Sequence, residues 1–167
     1  MKYDKYDNPI YSLCVNNVLS LLMVGLEFGI QVLCTKTMQC IFHIIVGNYS
    51  VWTMSMTLTQ DEIVVGLDGG GVVQYLLLMD TINLRKSSRG KGMTYYKEIA
   101  RFSNLGTCSS VVHDHSNRWY AGCNDGFIYS GVTSMCDFWF QVVNSPIVED
   151  RDVHEVLRWD IYSIVCV

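Results

Sequence analysis

The sequence predicts an all-β protein assembled from repeated four-stranded antiparallel units. Three observations predict it. β-Branched and aromatic strings recur in the same order along the chain. They are punctuated by polar or glycine-bearing turns. The spacing between equivalent positions is nearly fixed within each unit: 14 residues from Tyr11 to Gly25, 14 from Trp52 to Gly66 and 13 from Ser109 to Gly122.

Each unit opens with a short apolar string, at 10–15, 51–56 and 108–113. Strings rich in Val, Ile, Tyr and Ser suit strands buried inside an array. A polar break follows, then a second string that ends at Gly-Leu-Glu-Phe-Gly, Gly-Leu-Asp-Gly-Gly or Gly-Cys-Asn-Asp-Gly. Asn, Asp and Gly supply the positive φ of a tight hairpin. Third strands are predicted at 30–35, 72–79 and 127–132, and outer strands at 40–46, 97–102 and 138–143. Between units the intervals are 41, 57 and 53 residues, the last ending at Tyr162. Four strands per unit at a period of this order is the pattern of a β-propeller. The predicted blades cover about 9–46, 49–102 and 107–145, and a fourth opens at 160–167.

The hairpins VGLEFGIQVL, VVGLDGGGVVQY and YAGCNDGFIYS carry a more specific likeness. They resemble the second-to-third-strand hairpin of WD40-type β-propellers, and the likeness extends from about residue 9 to the end of the chain. The Trp-Asp pair expected after the third strand is missing from all three units, and Trp159-Asp160 precedes the fourth opening string instead. No unit has the usual Gly-His pair. The resemblance therefore implies the fold without the His–Asp–Ser–Trp network of standard blades. It also implies a scaffold or regulatory module that binds protein partners.

Propellers close with four to eight blades. Three blades plus one strand leave open flanks, so the expectation is a part of a larger propeller or a ring completed by a second chain, ahead of an open ring capped by residues 1–9 and 146–167. The turns between second and third strands (Glu27, Phe28, Asp68, Asn124, Asp125) and the outer-to-inner connections (Asn48, Tyr49, Trp159) should share one face. Loops on a rigid rim are where binding residues concentrate, so these eight are the candidate binding residues. The rival reading is a propeller enzyme or small-ligand binder using the central channel. Against it, the predicted inward residues Ser12, Thr53, Ser55 and Ser110 are small and neutral.

Composition narrows the classes. Half of the 167 residues are hydrophobic and 17% are charged, enough for a core. Acidic residues outnumber basic ones 16 to 12, for a net charge of −4, whereas a nucleic-acid binder needs a basic footprint. Residues 18–34 are apolar except Glu27 and contain Gly25 and Gly29 in GxxxG spacing. A spanning helix wants about 20 residues, and mid-bilayer Glu27 would cost roughly 2.5 kcal/mol or more. The equivalent stretches of the other units carry Asp61, Glu62, Asp68, Arg118, Asn124 and Asp125, so no membrane span is expected. The seven cysteines, an odd number mostly in apolar strings, read as buried thiols. A cytoplasmic location is the expectation.

The second unit is 16 residues longer than the first, with an insertion at about 80–96. Arg85, Lys86, Arg89 and Lys91 cluster there, either as a basic docking loop or as a solvated, trypsin-sensitive one. Ser87 and Ser88 lie among these bases as potential phosphorylation sites. Gly90-Lys91-Gly92 lacks the Ser/Thr of a phosphate-binding loop. Cys108, His113, His115 and Cys123 have zinc-ligand chemistry but read as a strand and a polar turn. No catalytic set, metal site or cofactor is predicted, and the chain is expected not to be an enzyme.

Overall fold

A computed structural model describes residues 9–87, 93–103, 105–114, 118–132 and 141–144. Three four-stranded antiparallel sheets follow one another along the chain, each with its strands in sequential order. The first contains β1 (Ser12–Asn16), β2 (Leu21–Gly25), β3 (Gly29–Cys34) and β4 (Cys40–Ile45). The second contains β5 (Val51–Met56), β6 (Glu62–Leu67), β7 (Gly71–Leu77) and β8 (Tyr96–Phe102), with helix α1 (Met79–Ser87) between β7 and β8. The third contains β9 (Cys108–His113), β10 (Arg118–Cys123), β11 (Phe127–Val132) and β12 (Gln141–Asn144). Residues 160–167, expected to open a fourth sheet, lie outside the described residues.

The sheets stack face to face through two apolar layers. Leu21, Met23, Ile30, Val32, Phe42 and Ile44 of the first sheet pack with Ile63, Val65, Leu67, Val73 and Tyr75 of the second. Val64 and Val72 point the other way, onto Val111, Trp119, Ala121 and Tyr129 of the third. The middle sheet is covered on both sides, so all six residues of β6, Glu-Ile-Val-Val-Gly-Leu, are buried. This explains a near-continuous apolar string where a half-exposed strand would alternate. Residues 18–34 form the β2–β3 hairpin, and among the described residues no helix is long and apolar enough to cross a membrane.

The innermost strands β1, β5 and β9 lie side by side and are joined by side-chain hydroxyls. Ser12 Oγ donates to the Val51 carbonyl at 2.8 Å. Val111 N–H donates to Thr53 Oγ1 at 3.2 Å, and Ser55 Oγ lies 3.0 Å from His113 Nδ1. The small polar residues of these strands thus satisfy backbone and side-chain groups between blades. The close approach also explains the glycine near the end of the second strand in the first two blades. A Cβ on Gly66 would stand 2.5 Å from Thr53 Cγ2 and 2.6 Å from Cys108 Sγ of the next inner strand, and Gly25 is equally crowded by Ser12 and Val51.

The insertion departs from expectation. Its first half is a helix, not a solvated loop. Asp80 lies in the first turn, where an acidic side chain complements the exposed N–H groups. Ile82 is fully buried in the layer between the first two sheets. Met79 packs partly buried against the same layer, and two such contacts on a polar segment leave almost no periodicity to read.

Candidate protein-interaction rim

In a four-stranded meander the second-to-third turn and the exit from the fourth strand fall at the same end. The β2–β3, β6–β7 and β10–β11 turns and the β4–β5 and β8–β9 connections therefore gather at one rim. Seven of the eight candidate residues are at that end: Glu27, Phe28, Asn48, Tyr49, Asp68, Asn124 and Asp125. Trp159 lies outside the described residues.

These seven divide by what they touch. Phe28 is 56% exposed in its turn and Glu27 is half-buried beside it. The turn is held by Leu26 N–H donating to the Gly29 carbonyl at 2.9 Å, while Leu26 O accepts from Val51 N–H of the next blade at 2.9 Å. Tyr49, 40% exposed, covers the β6–β7 turn of the second blade. A Cβ on Gly70 would come within 2.7 Å of its ring, so glycine there makes room for the tyrosine. Asn48 is exposed beside it.

Asp68, Asn124 and Asp125 are exposed but have internal partners. The Thr107 hydroxyl donates to Asp68 Oδ1 at 2.9 Å and accepts from Gly69 N–H at 3.1 Å. Asn124 Oδ1 accepts from Thr107 N–H at 3.0 Å. Thr107 thus ties the turn of the second blade to that of the third. It is not among the sequence candidates, although Ser50 and Thr107 both stand just ahead of an inner strand. Their carbonyls accept equivalent bonds, from Asp68 N–H and Asn124 N–H. Asp125 Oδ2 accepts from the Tyr129 hydroxyl at 2.5 Å. Burial, followed by this carboxylate, pushes the Tyr129 phenol well above its ordinary range.

A further feature of the rim is absent from the sequence candidates. Tyr11 and Trp52 stack with ring centroids 6.4 Å apart and planes 13° from parallel. They are 39% and 40% exposed. Tyr11 N–H bonds the Gly25 carbonyl and Trp52 sits at the start of β5, so both rings are at the rim end of their strands. The two positions are equivalent in the repeat, but only the adjacency of two blades makes them a stacked pair.

The basic cluster is elsewhere. Arg85 and Lys86 fall in the last turn of α1, in the β7–β8 connection at the opposite end of the sheets. Arg89 and Lys91 lie outside the described residues. At that opposite end, Asn16 Nδ2 donates to the Gln60 carbonyl at 2.7 Å and Val18 N–H to Gln60 Oε1 at 3.1 Å. This joins the first two blades.

The zinc-type residues do not converge. Cys108 and Cys123 face each other across β9 and β10, whereas His113 pairs with Trp119 at the other end of the same strands. Five residues of strand put His113 about 16 Å from Cys108. His115 lies outside the described residues, and among those described no group of three His, Cys, Asp or Glu side chains could hold a metal.

No family model and no curated protein matches this chain. Solved structures do. It superposes on U3-55K with a TM-score of 0.65 at 10% identity, covering 84% of this chain and 41% of that one. The RRP9 WD40 repeats give a TM-score of 0.65 at 9% identity, covering 84% and 40%. The fold is that of a WD40-type β-propeller. The Swd1 β-propeller domain of Myceliophteria thermophila gives a TM-score of 0.64 at 9% identity, covering 83% and 44%. This WD40-type chain spans about two fifths of the length of these structures, in keeping with three blades of a larger ring.

Proposed function

We propose that this chain is a protein-interaction module, three blades of a larger WD40-type propeller whose rim binds a protein partner. The single observation that carries the reading is the run of aromatic surface at the rim. Tyr11, Trp52, Phe28 and Tyr49 are each 39–56% exposed at one end of the sheets, with Glu27 beside them. Large aromatics held on a rigid frame are the side chains that dominate protein interfaces. Acidic neighbours favour a partner segment carrying Lys or Arg among apolar residues. Asp68, Asn124 and Asp125 contribute by fixing the turns, and Asn48 and Trp159 complete the proposed rim. The inner-strand hydroxyls Ser12, Thr53 and Ser55 are already engaged between blades, which favours rim binding over channel chemistry. A cytoplasmic setting belongs to the same proposal; the cysteines do not carry it, because of the five described only Cys108 and Cys123 are buried, Cys14 and Cys34 are half-buried and Cys40 is exposed, contrary to the expectation of buried thiols.

The test places a photo-crosslinking residue at Phe28 or Trp52, and at Lys36 in the β3–β4 turn at the opposite end, in the chain expressed in cells. A distinct protein adduct from the rim positions, absent at Lys36 and lost in Tyr11→Ala, is the expected result. Equal adducts at both ends would contradict the reading.

A further inference from the structure

Tyr11 and Trp52 open flat faces at the rim rather than burying them in each other. Their centroids are 6.4 Å apart in planes 13° from parallel. That distance is near the wide end for offset ring pairs, so the two rings overlap little. Both stay about two fifths exposed, unlike the buried Phe42 and Tyr95. A bulge turns Trp52 out: the pairing of β5 with β6 passes from Val51 to Thr53 and leaves Trp52 unpaired, and bulges re-aim the side chain they carry. The third blade has Ser109 at the equivalent position, so the shelf is two rings wide.

Two carboxylates border this shelf. Leu26 O accepts from Val51 N–H at 2.9 Å, which brings the turn bearing Glu27 beside Trp52. Ser50 O accepts from Asp68 N–H at 3.0 Å, which brings Asp68 of the second blade to the start of the same strand. Tyr11 N–H bonds the carbonyl of Gly25, two residues before Glu27. Neither Glu27 nor Asp68 is ion-paired; Glu98 is, with Arg101. The described turn residues at this end include Glu27, Asp68 and Asp125 and no Lys or Arg. The rim therefore carries uncompensated negative charge around a flat aromatic surface.

Resting on the rim reading above, we propose that this shelf is an arginine site. The guanidinium of an arginine in a partner's peptide segment stacks on Trp52 and Tyr11, and its N–H groups donate to the carboxylates of Glu27 and Asp68. Ring faces attract cations through their quadrupole. A guanidinium is planar and weakly hydrated, so it lies flat on a ring while its fork reaches carboxylates at the edge. The ammonium of lysine is a strongly hydrated point charge and does not do both. The acidic rim draws such a segment in.

The experiment selects a phage-displayed library of random dodecapeptides on the immobilised 167-residue chain and measures the enriched peptides by fluorescence anisotropy. The binders should share an arginine. Replacing it by lysine or by neutral citrulline should weaken binding roughly fivefold or more. Trp52→Ala and Glu27→Gln in the chain should each weaken the arginine peptide by a similar factor and remove its advantage over the lysine peptide. Lys36→Ala, at the opposite end, should leave both affinities unchanged. Glu27→Gln preserves side-chain size, so it carries the test if Trp52→Ala fails to fold. A selection without arginine enrichment, equal binding of the lysine peptide, or full binding by Glu27→Gln would overturn the arginine site. If peptides selected without arginine still compete with the adduct formed at Phe28 or Trp52, the rim reading stands. If Lys36→Ala releases them instead, the rim reading falls as well.

Discussion

His113 illustrates how a single residue couples stability to pH. Its Nδ1 meets Ser55 Oγ on the neighbouring inner strand, while Nε2 is buried with no hydrogen-bond partner. Burial lowers its pKa from 6.5 to about 4, only partly countered by the charge of Asp114. Between those values the unfolded chain binds a proton that the folded chain refuses. The stability associated with neutral His113 is thus complete above about pH 6.5 and is lost as pH falls toward 4, by at most about 3 kcal/mol. His113→Gln keeps a polar group facing Ser55 and removes the titration. Urea unfolding at pH 7.5 and 4.5 should show the wild type losing about 2 kcal/mol more than the variant. Equal losses would mean that another group sets the acid limit. The same residue marks a limit of sequence reading: a strand-end histidine beside Asp114 looks like part of a polar turn, and only the neighbouring blade makes it an interblade contact.

At the scale of elements, the strands were legible and the helix was not. Strands β5 and β9 have the bounds that their apolar strings predict, because β-branched runs between polar turns leave little choice of register. The outer strand β8 begins one residue earlier than predicted, and β4 ends one residue sooner. Helix α1 escaped because its apolar hold makes no readable stripe: among its described side chains Ile82 is fully buried and Met79 packs partly buried against the same layer. Ile82→Ala should cost about 2–4 kcal/mol and release the helix. Trypsin should then cut at Arg85 and Lys86 several-fold faster than in the wild type, which should resist there. Cleavage at equal rates in both would show that Ile82 does not secure the segment. The second-strand glycines are a stricter constraint. Gly66→Ala forces a methyl group against Thr53 and Cys108 and should cost roughly 1–3 kcal/mol in a thermal or denaturant melt. A neutral effect would mean that the blades are less closely packed than described. The rim was half legible. Asx-Gly turns announced Asp68 and Asp125, and the topology placed them at one end. Thr107 and the Tyr11–Trp52 stack require two blades side by side, which no single repeat reveals.

For the whole molecule, the decisive feature is the side of the first sheet that faces away from the second. In β1, Ser12 and Asn16 bond to the second blade, so the alternating residues Leu13 and Val15 point the other way. They are 61% and 47% exposed, and Val18 beyond them is 63% exposed. In a complete propeller such a surface packs against another blade, and burying each of these side chains contributes about 1–2 kcal/mol. The net charge of −4 gives little repulsion to keep copies apart. The most direct test is size-exclusion chromatography with light scattering of the purified chain at micromolar concentrations, wild type against Leu13→Glu/Val15→Glu. The wild type should elute as concentration-dependent oligomers, and the double variant should shift toward the 19.0 kDa monomer with its β-sheet spectrum intact. A wild-type chain that remains a 19.0 kDa monomer throughout would contradict the incomplete-ring account.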